Sequence, residues 1–125
     1  MDKIKLLIDT DIGGDIDDAL CVAMALNSPR VELLGITTVY AGNVWRTELV
    51  KKMLGVWGRA DIPVRRGAER PLVGKFPHDG GRPPLENEAV PFIIKACREN
   101  PGMTLLAIGP LTNIALAVHL APDII

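Results

Sequence analysis

Five aspartates lie within ten residues near the start of the chain, in the segment Asp9-Thr10-Asp11-Ile12-Gly13-Gly14-Asp15-Ile16-Asp17-Asp18. Mutual repulsion makes such crowding unfavourable unless a cation or hydrogen-bond donors offset it. The glycine pair lets the backbone turn tightly, so that several carboxylates can face one point. Carboxylate oxygens are the ligands that the hard cations Ca²⁺ and Mg²⁺ prefer. This segment, the acidic loop (residues 9–18), therefore predicts a metal site.

A second interpretation of these aspartates is helix capping. An Asp near a helix N-terminus is favoured by about 0.3–1 kcal/mol through the helix dipole and the free backbone N–H groups. Capping accounts for one or two of Asp15, Asp17 and Asp18. It does not account for Asp9 and Asp11, which end an apolar, strand-like run. Metal binding is the interpretation that explains all five.

Other cation-binding loops fit the acidic loop less well. An EF-hand loop ends in a bidentate Glu, whereas this loop follows a strand-like run and has Leu20 at that position. A receiver domain needs an acceptor Asp after its third strand, and residues 62–67 contain none. A haloacid-dehalogenase-type phosphatase would use Asp9 as nucleophile and Asp11 as acid. That hypothesis leaves the later aspartates without a role, and it stays an alternative.

The segments around the acidic loop alternate between strand and helix patterns. Residues 4–8 are almost continuously apolar, which is typical of a strand buried on both faces. Apolar residues in 90–97 follow the i, i+3, i+4, i+7 spacing of one helix face. We predict strands over 4–8, 31–39, 62–64 and 103–108, helices over 17–26, 49–57, 90–97 and 111–118, and an irregular loop over 66–87.

This order predicts an α/β fold, an open and mostly parallel sheet with helices on both faces that stops after the fourth βα unit. In such sheets ligands bind at the carboxyl ends of the strands. Polar residues collect there, because the acidic loop follows the first strand, Tyr40–Asn43 the second and Gly109–Asn113 the fourth. Asn43 also fits an ordinary turn beside Gly42, and Gly109–Asn113 fits a helix entry.

Composition limits the size of the protein and its partners. The chain has 125 residues, enough for one domain, and its net charge of −1 with scattered basic residues indicates no nucleic-acid partner. The start lacks a signal-peptide pattern and no apolar run reaches about 18 residues, so we expect a cytoplasmic protein with no membrane partner. Cys21 and Cys97 have neither CxxC nor metal spacing, and we expect buried, reduced thiols.

The acidic loop with Ala19, DTDIGGDIDDA, closely resembles the DTDPGxDDA signature of the inosine–uridine nucleoside hydrolases. Three further segments are similar to the same family in the same order. These are residues 33–39 with Gly42-Asn43, residues 62–64 with Gly67–Leu72, and residues 105–115 with GPLTNIA at their centre. The resemblance covers nearly the whole chain and implies the family's Rossmann-like fold.

The resemblance implies hydrolysis of the N-glycosidic bond of a small-molecule ribonucleoside, giving ribose and free base, with Ca²⁺ as cofactor. It assigns roles only where residues match. Asp11 would be a metal ligand and the general base for a calcium-activated water. Asp18 would be the bidentate metal ligand, and Ile108 would bind the metal through its backbone carbonyl. Asp17 would bind the ribose, Asn43 would contact the water or ribose, and Asp9 would support the loop from behind these ligands.

The chain departs from the family pattern in the acidic loop. Two more residues lie between Asp11 and Asp17 than in the signature, and Ile12 stands where Pro is usual. Asp15 therefore competes with Asp17 for the ribose role. His78 lies in a looser match to the family's active-site loop, where it either approaches the substrate or is a solvated loop residue.

Length is the largest departure, because family members run to about 300 residues as one domain. We expect residues 1–125 to be the amino-terminal part of such a domain, as a fragment, a truncated product or one half of a split enzyme. The absent half should supply a late Asp on the metal and the group that meets the leaving base. We therefore expect the isolated chain to be inactive, with a non-catalytic ribose- and metal-binding remnant as the alternative. Homo-oligomers are usual in the family.

Overall fold

The computed structural model describes residues 2–73 and 87–125. Strands and helices alternate along them, as the apolar spacing predicts. The elements are β1 (Ile4–Thr10), α1 (Asp17–Asn27), β2 (Val31–Thr38), α2 (Asn43–Val56), β3 (Val64–Arg66), α3 (Ala89–Glu99), β4 (Thr104–Ala107) and α4 (Thr112–Leu120), followed by a 3₁₀ turn over Pro122–Ile124.

The four strands form one parallel sheet in the order β3-β2-β1-β4. β1 lies between β2 and β4, which explains its nearly continuous apolar sequence. The register of β1 on β2 shifts once, where Leu6 faces Leu33 and Leu7 faces Gly35, so that Leu34 is the extra residue of a bulge.

Each face of the sheet has its own apolar core. Leu6 and Ile8 of β1 pack with buried residues of α1 and α2, including Val22 and Leu54. Leu7 points the other way and packs with buried residues of α3 and α4. The alternation of side chains along a strand thus requires helices on both faces, and the predicted fold class is confirmed.

Two elements differ from the sequence prediction. β3 begins at Val64, where a strand over 62–64 was predicted, because the Ile62 amide bonds to the Arg59 carbonyl in a turn at 3.1 Å. α2 begins at Asn43, six residues before the predicted start, since its first turns bury Asn43, Arg46 and Thr47 and show no apolar spacing.

Cys21 and Cys97 are free thiols, as predicted, but each is only partly buried, so the prediction that they are buried is wrong. In the described residues no helix is long and apolar enough to cross a membrane.

The strand order creates a crevice beside β1. The chain moves from β1 to β2 and β3 on one side of the sheet, and then returns to β4 on the other side of β1. The loops that leave the carboxyl ends of β1 and β4 therefore diverge, and this switch point is where open α/β sheets bind ligands.

Candidate functional site

An open cavity of about 370 Å³ lies at this switch point. Its lining comes from the loops after β1, β2 and β4 and from the first turns of α1 and α2. The lining residues are Asp11, Ile12, Gly13, Gly14, Asp15, Asp17, Asp18, Tyr40, Arg46 and Ile108. Of the predicted site residues, the structure thus brings together Asp11, Asp15, Asp17, Asp18 and Ile108.

A larger cavity of about 570 Å³ lies between α3, α4 and the C-terminal turn. Its lining is mostly apolar, and its one carboxylate, on Asp123, pairs with Arg98 at 2.8 Å. Because it lacks a set of converging polar groups, we place the candidate site in the smaller acidic cavity.

Asp18 is held at the floor of the acidic cavity by Thr10. The Thr10 hydroxyl donates a 2.5 Å hydrogen bond to Asp18 Oδ2 and accepts one from the Ile12 amide at 3.0 Å. Burial raises the pKa of Asp18, the Thr10 hydrogen bond opposes this effect, and the charges of Asp11 and Asp17 raise it further. The carboxylates therefore repel one another at close range, which is the condition that a cation relieves.

Asp11 is half-buried and packs against Gly109 from the loop after β4. A Cβ atom added to Gly109 would lie 2.9 Å from the Asp11 amide nitrogen and 3.2 Å from its Oδ1. Only glycine permits this approach, which brings the backbone beside Ile108 to the acidic loop.

Asp9 is fully buried and does not line the cavity. Its Oδ1 accepts hydrogen bonds from the Thr37 hydroxyl at 2.6 Å and the Asn113 amide at 2.8 Å, whereas Oδ2 has no partner. Burial raises the pKa of Asp9 to about 6, although both hydrogen bonds oppose the shift. A carboxylate directed into the interior cannot serve as a phosphatase nucleophile, so that alternative is wrong.

Asn43 lies at the start of α2 and is also fully buried. Its Nδ2 donates to the carbonyls of Thr38 at 3.1 Å and Gly67 at 2.8 Å, and its Oδ1 has no hydrogen-bond partner. The turn interpretation is wrong, because Asn43 joins the ends of β2 and β3. Asn43 is not among the residues that line the acidic cavity, so the structure does not bring it to the predicted contact with water or ribose.

The remaining predicted site residues are solvent-accessible or outside the described ranges. Asp15 and Asp17 are both exposed at the mouth of the cavity, and the geometry favours neither for the ribose. His78 lies outside the described residues. Within 2–73 and 87–125, no group of three or more His, Cys, Asp or Glu side chains is arranged to hold a metal ion.

Comparison with known proteins identifies the family of this chain. The family model for inosine-uridine preferring nucleoside hydrolases matches residues 6–125. The chain belongs to this family. It is 39% identical to a probable uridine nucleosidase 2 of Arabidopsis thaliana, covering 98% of this chain and 44% of that protein. It is 38% identical to a non-specific ribonucleoside hydrolase, RihC, of Escherichia fergusonii, covering 97% and 45%.

Solved nucleoside hydrolases share the fold. A plant nucleoside hydrolase, PpNRh1, matches with a TM-score of 0.77 and 31% identity over 97% of this chain and 44% of that one. A purine-preferring ribonucleoside hydrolase from Gardnerella vaginalis matches with a TM-score of 0.81 and 26% identity over 96% and 45%. The chain thus spans somewhat less than half the length of these nucleoside hydrolases.

Three residues that shape the acidic cavity were not among the site residues predicted from the sequence. Arg46 lines the cavity and donates to the backbone carbonyls of Asp11 and Ile12. Gly109 permits the approach to Asp11, and Asn113 holds Asp9. The GPLTN run includes the last two, but the sequence had no signal for Arg46, which lies before the helix predicted over 49–57.

Proposed function

We propose that this chain forms the metal- and ribose-binding half of an enzyme that hydrolyses the N-glycosidic bond of ribonucleosides to ribose and free base. The observation that carries the proposal is the convergence of Asp11, Asp18 and Ile108 on one cavity at the switch point of the sheet. Family membership supports it. The similar proteins include a uridine nucleosidase, a purine-preferring hydrolase and a non-specific one, so we assign the substrate class and no base preference.

Calcium is the cation we propose for the acidic cavity. The carboxylates of Asp11 and Asp18 and the backbone carbonyl of Ile108 would hold it, an oxygen-only set that suits a hard cation. Burial raises the pKa of Asp18 and the charges of Asp11 and Asp17 raise it further, so a cation bound beside these carboxylates would offset their repulsion. When bound, Ca²⁺ would grip the vicinal ribose hydroxyls and make water easier to deprotonate. Two carboxylates are a partial set, and further ligands would have to complete it.

The chain's own residues would act on the ribose side of the reaction. Asp11 would take a proton from the water that attacks the anomeric carbon, while the bond from that carbon to the base breaks. By analogy with O-glycosidases the transition state carries positive charge on the sugar ring, which the exposed carboxylates of Asp15 and Asp17 would stabilise. One of them, Asp17 by the family pattern, would bind a ribose hydroxyl. We assign the proton donor for the leaving base to none of the described cavity residues.

Co-expression tests this function. Residues 1–125 would be co-expressed with the part of the Arabidopsis relative that this chain does not cover. Ribose release from inosine and from uridine would be measured with calcium and with chelator. We expect calcium-dependent release that Asp11→Ala abolishes and Asp61→Ala, an exposed aspartate paired with Arg59, leaves unchanged. The 125-residue chain alone should release little or no ribose. A folded, calcium-loaded complex without release would instead favour a remnant that binds ribose and metal but does not cut.

A further inference from the structure

Arg46 is a buried cation that pairs with no carboxylate of the described residues. It is 7% exposed, and in the described residues its guanidinium takes part in no ion pair. Its N–H groups donate instead to backbone carbonyls. Nη1 bonds to the carbonyls of Asp11 and Ile12, the latter at 2.8 Å, and Nε bonds to that of Ala41 at 3.0 Å. One side chain of α2 therefore joins the loops that follow β1 and β2.

Two aromatic rings hold the guanidinium in this orientation. The Arg46 Cζ lies 4.4 Å from the ring centroid of Trp45 and 5.3 Å from that of Tyr40. Among the described residues, Tyr40 is the non-glycine residue with a positive φ, at 88°. A planar cation packed against ring faces keeps its fork fixed, and a lysine ammonium would not reproduce that geometry.

Trp45 also covers the acidic loop directly. Gly13 has a φ of +111°, and a Cβ added there would lie 2.2 Å from Trp45 Cζ3. A Cβ on Gly42, in the second loop, would lie 2.2 Å from Trp45 Nε1. The indole therefore rests on the backbone of both loops, although it is 48% exposed to solvent.

The acidic loop is a segment whose backbone is costly to order. Residues 11–16 connect β1 to α1 without a strand or helix of their own, and they contain the adjacent glycines Gly13 and Gly14 and no proline that would fix φ. Ordering each of these residues costs conformational entropy, and glycine loses the most freedom. The contacts from Trp45 and Arg46 act on residues 11–13, within this connection.

We propose that Trp45 and Arg46 form a clamp that fixes the acidic loop so that Asp11 and Asp18 face the cavity together, and that Arg46 is a positioning residue. The effect of the clamp on loop order is independent of what the cavity binds. Only its consequence for ion binding rests on the proposed function.

Amide hydrogen exchange in the ion-free protein tests the clamp. The Ile12 amide is the probe, because it bonds to Thr10 Oγ1 and its own carbonyl accepts from Arg46. Arg46→Lys and Trp45→Ala should each speed the exchange of this amide by about tenfold or more. Arg46→Lys loses the charge-assisted hydrogen bonds to the loop, and Trp45→Ala loses the indole that covers them. The Ile36 amide, bonded to the Pro63 carbonyl, should keep its rate. Arg59→Lys, a surface arginine paired with Asp61, is the matched control.

Terbium luminescence sensitised by tryptophan tests the consequence for the ion. Trp45 lies on the acidic loop and should transfer energy to bound Tb³⁺, whereas Trp57 lies at the far end of α2. We expect Arg46→Lys to weaken Tb³⁺ binding about tenfold without lowering the occupancy at saturation, and Trp57→Phe to leave the signal intact. Added guanidinium ion should partly restore affinity in Arg46→Ala.

The two readouts separate the clamp from the metal proposal. Unchanged Ile12 exchange in folded Arg46→Lys and Trp45→Ala proteins would overturn the clamp whether or not the chain binds terbium. If the two variants exchange the Ile12 amide faster but the wild-type protein binds no terbium, the clamp is supported and the metal proposal is contradicted. If amides throughout the Arg46→Lys protein exchange faster, that variant is unfolding and the result for Trp45→Ala tests the clamp. The half-exposed indole can be removed without opening the core.

Discussion

The side-chain amide of Asn113 donates a 2.8 Å hydrogen bond to Asp9 Oδ1, joining residues that are 104 positions apart in the chain. The same amide donates to the Thr38 carbonyl at 3.0 Å, and Asn113 Oδ1 accepts from the Ala68 amide at 2.8 Å. One buried side chain at the start of α4 thus joins the ends of β1 and β2 to the segment after β3. The edge of the sheet that carries the acidic loop depends on it.

Removing the Asn113 amide should destabilise the fold. Asn113→Ala leaves the buried Ala68 amide without the Asn113 acceptor and leaves Asp9 Oδ1 with the Thr37 hydroxyl as its remaining donor. We expect a loss of roughly 2–4 kcal/mol in the free energy of unfolding. Chemical denaturation measures the change in the free energy of unfolding. Asn27→Ala, which removes an exposed amide bonded within α1, should cost less than about 1 kcal/mol. Equal losses at both sites would contradict the role of Asn113.

Substituting Gly109 should damage the site more than the fold. Gly109→Ala adds a methyl group 2.9 Å from the Asp11 amide nitrogen, and the acidic loop must shift to make room. We expect calcium or terbium affinity to fall about tenfold or more, as for other misplaced ligands. Gly14→Ala is the matched control inside the same loop, because a Cβ there meets nothing within 4 Å. Titration of both variants gives the comparison, and equal affinities would contradict the close packing of Gly109 on Asp11.

The buried carboxyl group of Asp9 should make stability depend on pH. Burial raises its pKa from 3.8 to about 6, so the folded chain holds a proton that the unfolded chain releases. In ion-free protein the free energy of unfolding should therefore fall as pH rises from about 4 to 6, by at most about 3 kcal/mol from this group. Asp9→Asn, whose amide oxygen can still accept from Thr37 and Asn113, should lack this contribution.

Denaturation of wild type and Asp9→Asn across this pH range measures the difference. Asp123→Asn is the matched control and should keep the wild-type slope over this range, because the hydrogen bond from Arg98 lowers the pKa of Asp123 to below the range. Its contribution is present above pH 3.8 and is lost as pH falls below that value. Parallel pH profiles for wild type and Asp9→Asn would contradict the buried, proton-holding state of Asp9.

Asp15 and Asp17 can be distinguished in the co-expressed enzyme. By the family pattern Asp17→Asn should weaken ribonucleoside binding about tenfold or more, since a charged acceptor for a ribose hydroxyl is lost. Asp15→Asn should change KM little. Steady-state kinetics of the two variants give the answer, and the reverse result would assign the ribose contact to Asp15.

Local patterns in the sequence were enough for much of the fold and part of the site. The apolar run over 4–8 identified β1, and the helical spacing in 90–97 identified α3, because burial imposes periods that are visible over one element. The same patterns did not predict the first residues of α2, because Arg46 and Thr47 are buried there through polar contacts. Apolar spacing does not indicate contacts of this kind.

The sequence by itself determined the alternation of strands and helices, the acidic loop and the family, since each depends on neighbouring residues. Only the tertiary structure decided which aspartates face the cavity. Asp9 points into the interior, where it accepts hydrogen bonds from Thr37 and Asn113. Asp11 and Asp18 line the cavity beside Ile108. The strand order decides this, since returning β4 to the far side of β1 brings together residues that lie a hundred positions apart.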